Sequence, residues 1–368
     1  MQLSDQYQPT APNPPASRNG IVQAFNSAYR PDDANGSHWS RYQYTPTGDT
    51  LTDSLNEVSE KDRKQISAMS KAYASQTASD TVSILDFGSG DGRLRGVYEQ
   101  LGNDLQGSGK NLRVVALDTS REALNQFAIK LKQAGFQEKS DSSTAARDLT
   151  GDDKGYLFDE FTKGNVTIRL VHSNIDNTPN QVKELVLENN DRQNIGLTLG
   201  FDSLSFIEEQ DNRAEFIKMF RDITDADLLL TVPGLNVEKW QPLLHEFNQR
   251  RPSPGDAVSP GWADSVGLAT EPNSFMYNFR GNHLFYKLFK RAELAADAAK
   301  AGLNDFAVRI NQLWHPQRHK EQEGLAAVDQ QSTDAYNALV DQHGHTDHLD
   351  SIFDTVDGFI QLHHKPGK

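Results

Sequence analysis

The segment Ile84-Leu85-Asp86-Phe87-Gly88-Ser89-Gly90-Asp91-Gly92 decides the predicted fold. An apolar run ends in an acid, and three glycines follow at every second position. The pattern predicts a buried strand that ends in a tight turn, because glycine adopts backbone conformations that other residues avoid. After Arg93 the apolar residues recur at helical spacing, so a helix should follow. This arrangement predicts a site for a nucleotide-like ligand against bare backbone N–H groups.

The spacing of the glycines excludes two common nucleotide sites. A dinucleotide fingerprint needs glycine at the sixth position, where this chain has Arg93, so a dehydrogenase is disfavoured. A phosphate-binding P-loop needs Gly-Lys-Ser/Thr, which does not follow here. A second apolar run, residues 112–117, ends in Asp118. A carboxylate at that strand end can accept hydrogen bonds from both ribose hydroxyls of a nucleoside.

Asp86, Gly88, Gly90, Gly92 and Asp118 match, in type and order, the motif of class I S-adenosylmethionine-dependent methyltransferases. The chain resembles this family over residues 82 to 366. The resemblance implies a Rossmann-like, mostly parallel sheet of seven strands with helices on both faces. Its last strand should be antiparallel, beside the fifth strand and paired with the sixth. The alternation of strand and helix patterns also favours an α/β fold. A glycine-rich loop in another α/β fold stays the alternative.

The chain divides into three predicted regions. Residues 1–20 form a flexible tail, residues 21–80 an N-terminal helical cap, and residues 81–368 the methyltransferase domain. Polar or turn-rich inserts are expected in that domain at 136–163, 235–285 (after the fifth strand) and 315–355. The predicted strands are 82–87, 112–117, 166–172, 195–201, 227–232, 306–313 and 359–363.

Composition limits the classes of function. The net charge of −14 repels phosphate backbones, so no nucleic-acid partner is expected. The absence of cysteine excludes disulfides, thiolate metal sites and a cysteine nucleophile. No apolar run has the length of a membrane span, so a soluble, cytoplasmic protein without a membrane partner is expected. The oligomeric state stays open.

The resemblance implies S-adenosylmethionine as the cofactor. Asp86 should either bind the ammonium group of this ligand or cap the glycine turn. Asp118 should hold the ribose, with a helix-capping role as the alternative, for which Thr119 and Ser120 are better placed. The predicted cofactor residues are Asp86, Gly88, Ser89, Gly90, Gly92, Asp118, Thr119, Asn174, Ile175 and Phe201.

Two further strand ends complete the predicted site. In the family, a polar residue after the third strand bonds the adenine amine and an apolar neighbour packs on the ring. Asn174 and Ile175 occupy those positions, although the family more often has an acid where Asn174 stands. Phe201, Asp202 and Ser203 follow the fourth strand and should face both the sulfonium and the acceptor, because ligands bind beyond the carboxyl ends of such strands.

A catalytic base is needed only if the acceptor must lose a proton. His283 is the first candidate base, and Asp202, His38 and His172 are weaker ones. An ordinary structural role for His283 stays open. The histidines in residues 343–348 fit an exposed loop better than a metal site, so no metal is predicted.

Aromatic residues in the cap and in the insert after the fifth strand could cover the acceptor as a lid or belong to the core. These residues are Trp39, Tyr42, Tyr44, Phe275, Tyr277 and Phe279. The predicted function is methyl transfer to an oxygen or nitrogen of a small molecule. The alternatives are a protein or peptide methyltransferase and a catalytically silent binding module with the same fold. An enclosed pocket favours the small-molecule enzyme, and an open groove favours the protein or peptide methyltransferase.

Overall fold

The computed structural model describes residues 25–26, 50–139, 156–172, 195–223, 227–234, 265–268, 273–279, 282–313, 323–344 and 358–364. Several predictions fall outside these residues. They are the tail at 1–20, Asn174, Ile175, His38 and the aromatic residues Trp39, Tyr42 and Tyr44.

Helices and strands alternate along most of the described chain. The helices are α1 (Thr50–Gln76), α2 (Arg95–Gln106), α3 (Arg121–Gln133), a 3₁₀ helix (Ser203–Phe206), α4 (Gln210–Ile223), α5 (Arg291–Lys300) and α6 (Glu323–His343). The strands are β1 (Thr81–Phe87), β2 (Asn111–Asp118), β3 (Gln137–Glu138), β4 (Tyr156–Lys163), β5 (Val166–His172), β6 (Ile195–Phe201), β7 (Asp227–Pro233), β8 (Ser265–Leu268), β9 (Ser274–Phe279), β10 (Asn282–Lys287), β11 (Phe306–Leu313) and β12 (Gly358–His364).

The main sheet confirms the predicted fold class. Its strand order is β11-β12-β7-β6-β1-β2-β5-β4-β3. The strands from β7 to β5 in this order pair in parallel. The last strand, β12, is antiparallel to both β7 and β11, as the resemblance implied. None of the described helices combines the length and apolar character needed to cross a bilayer.

The sheet has nine strands in the described residues rather than the predicted seven. The extra strands, β3 and β4, lie in the segment 136–163 that was expected to be a surface insert, and they extend the sheet beyond β5. The charged residues of β4 interrupt its apolar pattern. Glu160 in that strand is nevertheless paired, with Arg169 and with Lys139. The edge strand β3 has only two residues, and a short edge strand resists pairing with another chain.

A second sheet lies in the segment 235–285 that was expected to be an insert. It has the strand order β10-β9-β8 and is antiparallel. An isolated bridge between Gly234 and Phe289 joins the end of β7 to the chain after β10. The second sheet therefore lies close to the carboxyl end of β7.

Helices cover both faces of the main sheet. Successive residues of β1 point to opposite faces, with Ile84 in one core cluster and Leu85 in the other. The first cluster also holds apolar residues of α1, α2 and α3, and the second holds those of α4, α5 and α6. Strands buried on both faces read as continuous apolar runs, and this explains why the central strands are visible in the sequence.

Candidate cofactor and acceptor site

The loop between β1 and α2, residues 88–94, is called the glycine loop below. Gly88, Gly90 and Gly92 have φ angles of 70°, 57° and 84°, which other residues rarely adopt. A Cβ atom on Gly88 would lie 2.1 Å from Ser203 Oγ, and one on Gly92 would lie 2.2 Å from the Phe127 ring. The loop therefore needs glycine at these two positions for both conformation and packing.

Four N–H groups of the glycine loop are used within the chain, so these four do not face a ligand as the sequence predicted. Gly88 N–H and Ser89 N–H both donate to Leu117 O, at 2.9 and 3.0 Å. Gly90 N–H donates to Asp118 Oδ2 at 2.8 Å, and Gly92 N–H donates to Ser89 O. The cause is that the loop folds back over the end of β2.

Asp118 ends β2 and holds the glycine loop in place. While Oδ2 binds Gly90 N–H, Oδ1 accepts from Ser120 N–H at 2.7 Å. Burial raises the pKa of Asp118 to about 6, and these two hydrogen bonds offset part of the rise. The carboxyl groups of Asp86 and Asp91 raise this pKa further. Each oxygen of Asp118 retains further capacity to accept a hydrogen bond.

The cap of α3 is Ser120, so Asp118 is not the helix cap. Ser120 Oγ accepts from Ala123 N–H at 3.1 Å. Asn26, from the segment before α1, reaches this point as well. Its Oδ1 accepts from Ser120 Oγ at 3.0 Å and from Glu122 N–H at 3.3 Å. His172 Nε2 lies 3.1 Å from Thr119 O, which fixes the turn after β2.

Two more buried carboxyl groups lie around the glycine loop. Tyr98 donates its hydroxyl proton to Asp86 Oδ2 at 2.5 Å, a partner that neither predicted role of Asp86 included. Burial raises the pKa of Asp86, while this hydrogen bond and the charge of Arg93 act in the opposite direction. Asp91 forms an ion pair with Lys130 at 2.7 Å. Three carboxyl groups in one buried region favour a cationic ligand.

A second part of the site follows β6, on the other side of β1. Asp202 has a left-handed backbone conformation, with φ 57°, and its N–H donates to Thr231 O at 2.7 Å. The next residue, Ser203, donates its hydroxyl proton to Phe87 O at 3.1 Å. This bond ties the 3₁₀ helix to the end of β1, where the glycine loop begins.

The carboxyl group of Asp202 has one hydrogen-bonded oxygen and one buried, unbonded oxygen. Tyr286 in β10 donates its hydroxyl proton to Oδ2 at 3.0 Å. Oδ1 makes no hydrogen bond of normal geometry with any described residue. Burial raises the pKa of Asp202 to about 7, and the hydroxyl groups of Ser205 and Tyr286 offset part of the rise.

Aromatic rings line the Asp202 side of the site. The Phe206 ring packs edge-to-face on Tyr286, with centroids 5.1 Å apart, and on Phe25, with centroids 4.9 Å apart. Lys287, the buried neighbour of Tyr286, forms an ion pair with Glu293 at 3.1 Å and so fixes the end of β10. Sequence patterns do not group these rings, because Phe25, Phe206 and Tyr286 are far apart in the chain.

The remaining predicted residues are placed less completely. His283 lies in β10 opposite Asn278, and Phe201 ends β6, but their side chains lie outside the described ones. Phe275, Tyr277 and Phe279 lie in β9, also with side chains outside the described ones. In the described part of the chain, no three His, Asp or Glu side chains are grouped to hold a metal ion.

Comparisons with known proteins gave structural neighbours only. No protein-family model and no curated protein matches the chain. A SAM-dependent methyltransferase from Methanosarcina mazei is 14% identical, with 80% of this chain and 97% of that chain covered and a TM-score of 0.37. A geranyl diphosphate C-methyltransferase from Streptomyces coelicolor A3(2) is 11% identical, with 97% and 100% covered and a TM-score of 0.38. A geranyl diphosphate methyltransferase in complex with SAM is 9% identical, with 82% and 85% covered and a TM-score of 0.34.

Proposed function

We propose that the chain is an S-adenosylmethionine-dependent methyltransferase that acts on an oxygen or nitrogen of a small molecule. The observation that carries this proposal is the position of Asp118 beside the glycine loop. Phe87 and Leu117 are paired residues, so β1 and β2 end side by side at the carboxyl edge of the sheet. Ligands of open α/β sheets bind beyond that edge.

The charges of the site suit this cofactor. S-adenosylmethionine carries a sulfonium and an ammonium group, and Asp86, Asp91 and Asp118 are all buried around the loop. Burial raises the pKa of Asp86 and Asp118, and the positive charge of a bound cation would lower both values again. The ribose hydroxyls would donate to Asp118, while Asp86 and the loop carbonyls would accept from the ammonium group.

A buried polar atom in the glycine loop supports the fit. Ser89 is buried, and its Oγ makes no hydrogen bond with any described residue. Buried hydroxyl groups are nearly always bonded, so a ligand group is the partner we expect for this atom. The bound cofactor would supply an electrophilic methyl carbon, and the chain would align an acceptor with it.

A small acceptor is favoured by the rings beside Asp202. Phe25, Phe206 and Tyr286 form an apolar wall of the kind that lines small-molecule pockets. The net charge of −14 disfavours an acceptor with a phosphate backbone.

Methyl transfer is tested with labelled S-adenosylmethionine and separate metabolite and protein fractions of a cell extract. We expect label in the metabolite fraction and calorimetric binding of S-adenosylhomocysteine, but not of NAD⁺. Label confined to the protein fraction would identify a protein methyltransferase instead. Binding without transfer to any fraction would identify a silent binding module. A folded protein that binds neither S-adenosylmethionine nor S-adenosylhomocysteine would refute the proposal.

A further inference from the structure

Tyr286 is buried and Asp202 is half-buried, and the two side chains form a hydrogen bond on the acceptor side of the site. We propose that Asp202 accepts the proton of a weakly acidic hydroxyl group on a ring-bearing, apolar acceptor, and that Tyr286 is the positioning residue for Asp202. This inference rests on the proposed methyl transfer and names the substrate class of the same site.

The backbone places Asp202 beside the proposed cofactor cleft. Its neighbour Ser203 bonds Phe87 O at 3.1 Å, and Ser203 Oγ lies where a side chain on Gly88 would be. Asp202 is therefore one residue away from the wall of the glycine loop. Its left-handed conformation, with φ 57°, is uncommon for a residue other than glycine, and such conformations are often found at functional sites.

The carboxyl group has one oxygen held and one available. Tyr286 fixes Oδ2 through a hydrogen bond of 3.0 Å. Oδ1 is buried and makes no hydrogen bond of normal geometry with a described residue, and the Ser205 hydroxyl lies near the carboxyl group. A buried acceptor without a donor costs about 1–3 kcal/mol, so an incoming hydroxyl group that donates to Oδ1 is favoured.

Two consecutive residues show that the cofactor and acceptor sides are close. Phe25 packs on Phe206, next to the chain that carries Asp202. Asn26 bonds Ser120, two residues after Asp118. One two-residue segment therefore contacts both sides, and the bond of Ser203 to Phe87 O brings the chain beside Asp202 to the start of the glycine loop.

The properties of the pair select the acceptor. A base with a pKa of about 7 can take a proton from a phenol-like hydroxyl group, whose pKa is about 10, during the reaction. A neutral amine needs no base, because its lone pair attacks directly. An ionised carboxylic acid would be repelled by Asp202. The rings of Phe206 and Tyr286 offer edges and faces to a ring of the acceptor.

The reaction step balances without a further reactant. The acceptor hydroxyl gives its proton to Asp202 Oδ1. An oxygen electron pair forms the new bond to the methyl carbon, and the carbon–sulfur bond breaks with its electron pair left on sulfur. The products are the methyl ether and the neutral thioether S-adenosylhomocysteine, and Asp202 then releases its proton to water.

The pH dependence should reflect Asp202 itself. Among the described residues, the groups that face its carboxyl are Tyr286 from β10 and Ser205 from the 3₁₀ helix, and neither is charged at neutral pH. Lys287 in β10 is paired with Glu293, and Asp86 in β1 is bonded to Tyr98. Tyr286 donates to the carboxylate, so its removal should raise the pKa of Asp202.

The test measures methyl transfer to p-cresol between about pH 5 and 9, with 4-methylanisole as the matched ring that has no proton to give. In the unaltered protein we expect kcat/KM to rise with pH, to pass its half-maximal value near pH 7, and then to reach a plateau; this rise is called the limb below. Asp202→Asn should lower kcat at least about 100-fold. Tyr286→Phe should move the limb to higher pH and keep most of the plateau, a change that loss of packing alone would not cause.

Binding of S-adenosylhomocysteine separates this inference from the proposed function. Both variants should bind it about as tightly as the unaltered protein, because neither residue touches the cofactor side. If the unaltered protein binds S-adenosylhomocysteine but does not methylate p-cresol, the acceptor class is wrong. Turnover of Asp202→Asn within about threefold of the unaltered protein, or a limb that Tyr286→Phe leaves unmoved, would overturn the role of the pair. Absence of S-adenosylhomocysteine binding would instead refute the proposed function.

The matched control for Asp202→Asn is Asp211→Asn. Asp211 is 74% exposed on α4, where it pairs with Lys300. The control should leave the pH profile, turnover and S-adenosylhomocysteine affinity unchanged. Thermal unfolding of each variant shows that any lost turnover belongs to a folded protein.

Discussion

Asp118 and Asp202 end the two strands that flank β1, yet the chain holds them in different ways. Burial raises the pKa of both, to about 6 and about 7. Asp118 accepts from two backbone N–H groups, one on each oxygen. Asp202 accepts from one side-chain hydroxyl and keeps Oδ1 without a described partner.

The difference separates a structural anchor from a group free to exchange a proton. Backbone donors cannot move away, so they favour the charged form of Asp118 and hold the glycine loop. The single hydroxyl of Tyr286 orients Asp202 and leaves one oxygen for another donor. Two aspartates at equivalent strand ends can therefore have opposite roles.

The largest expected effect is that of Asp118→Ala. The change leaves Gly90 N–H and Ser120 N–H without their acceptor, at a cost of about 1–3 kcal/mol for each buried group. It also removes the ribose acceptor, so S-adenosylhomocysteine affinity should fall at least about 100-fold. Calorimetry and urea unfolding measure the two effects.

Asp202→Ala is the comparison for that change. It leaves no backbone N–H of the glycine loop unpaired, so it should cost less stability and leave S-adenosylhomocysteine affinity nearly unchanged. Equal losses in the two variants would mean that the contrast between anchor and proton acceptor is wrong.

Gly88 lies in the glycine loop that Asp118 holds and packs on Ser203, the neighbour of Asp202, so its substitution should have the next largest effect. Gly88→Ala places a Cβ 2.1 Å from Ser203 Oγ and strains a backbone with φ 70°, so we expect a stability loss of about 2 kcal/mol. Gly96→Ala is the control, because a Cβ there meets nothing within 4 Å and lies in α2. It should stabilise by about 0.5–1 kcal/mol in urea unfolding. A harmless Gly88→Ala would show that the loop does not pack on Ser203 in solution.

The sequence predicted the side of the site that holds Asp118 and the glycine loop far better than the acceptor side, which holds Asp202 and Tyr286. The bounds of β5, β6 and β11 agree with the predicted strands, because apolar residues recur at alternate positions in each, while β2 is a nearly continuous apolar run. Asp118 follows such a run directly, so its position at the sheet edge could be read from local pattern. The hydrogen bonds from the loop N–H groups to Leu117 O could not be predicted from the sequence, because they depend on the geometry of the turn.

The acceptor side depends on contacts between distant parts of the chain. Asp202 and Tyr286 are 84 residues apart, and Asn26 and Ser120 are 94 apart. Tyr286 lies in β10, one residue beyond the insert predicted at 235–285, and β10 forms the second sheet with β8 and β9. Single-sequence patterns carry periodicity but not such pairings.

The pH dependence of stability distinguishes the two carboxyl groups. Each has a pKa above its ordinary value of 3.8, so each contributes stability that is full below about pH 4 and is lost as the pH rises. The loss ends near pH 6 for Asp118 and near pH 7 for Asp202. Asp202→Asn should therefore remove the fall in unfolding free energy between pH 6 and 7, by up to about 1 kcal/mol.

Asp118→Asn serves as the counterpart in the same urea titrations. It should keep the fall between pH 6 and 7 and flatten the part below pH 6. If Asp118→Asn also removes the fall between pH 6 and 7, the two groups titrate together and their different bonding has no consequence for proton binding.

The smallest expected effects belong to residues 25 and 26, which contact both sides. Asn26→Ala removes the acceptor of Ser120 Oγ and Glu122 N–H, so S-adenosylhomocysteine affinity should fall a few-fold, about 1 kcal/mol. Asn26→Asp keeps an oxygen there, at a helix N-terminus that favours negative charge, and should restore the affinity. Phe25→Ala removes the ring that packs on Phe206. It should raise the KM for p-cresol and leave cofactor affinity unchanged. A loss of cofactor affinity in Phe25→Ala as large as that in Asn26→Ala would mean that the two contacts act as one unit, and that the anchor and acceptor sides are coupled through this segment.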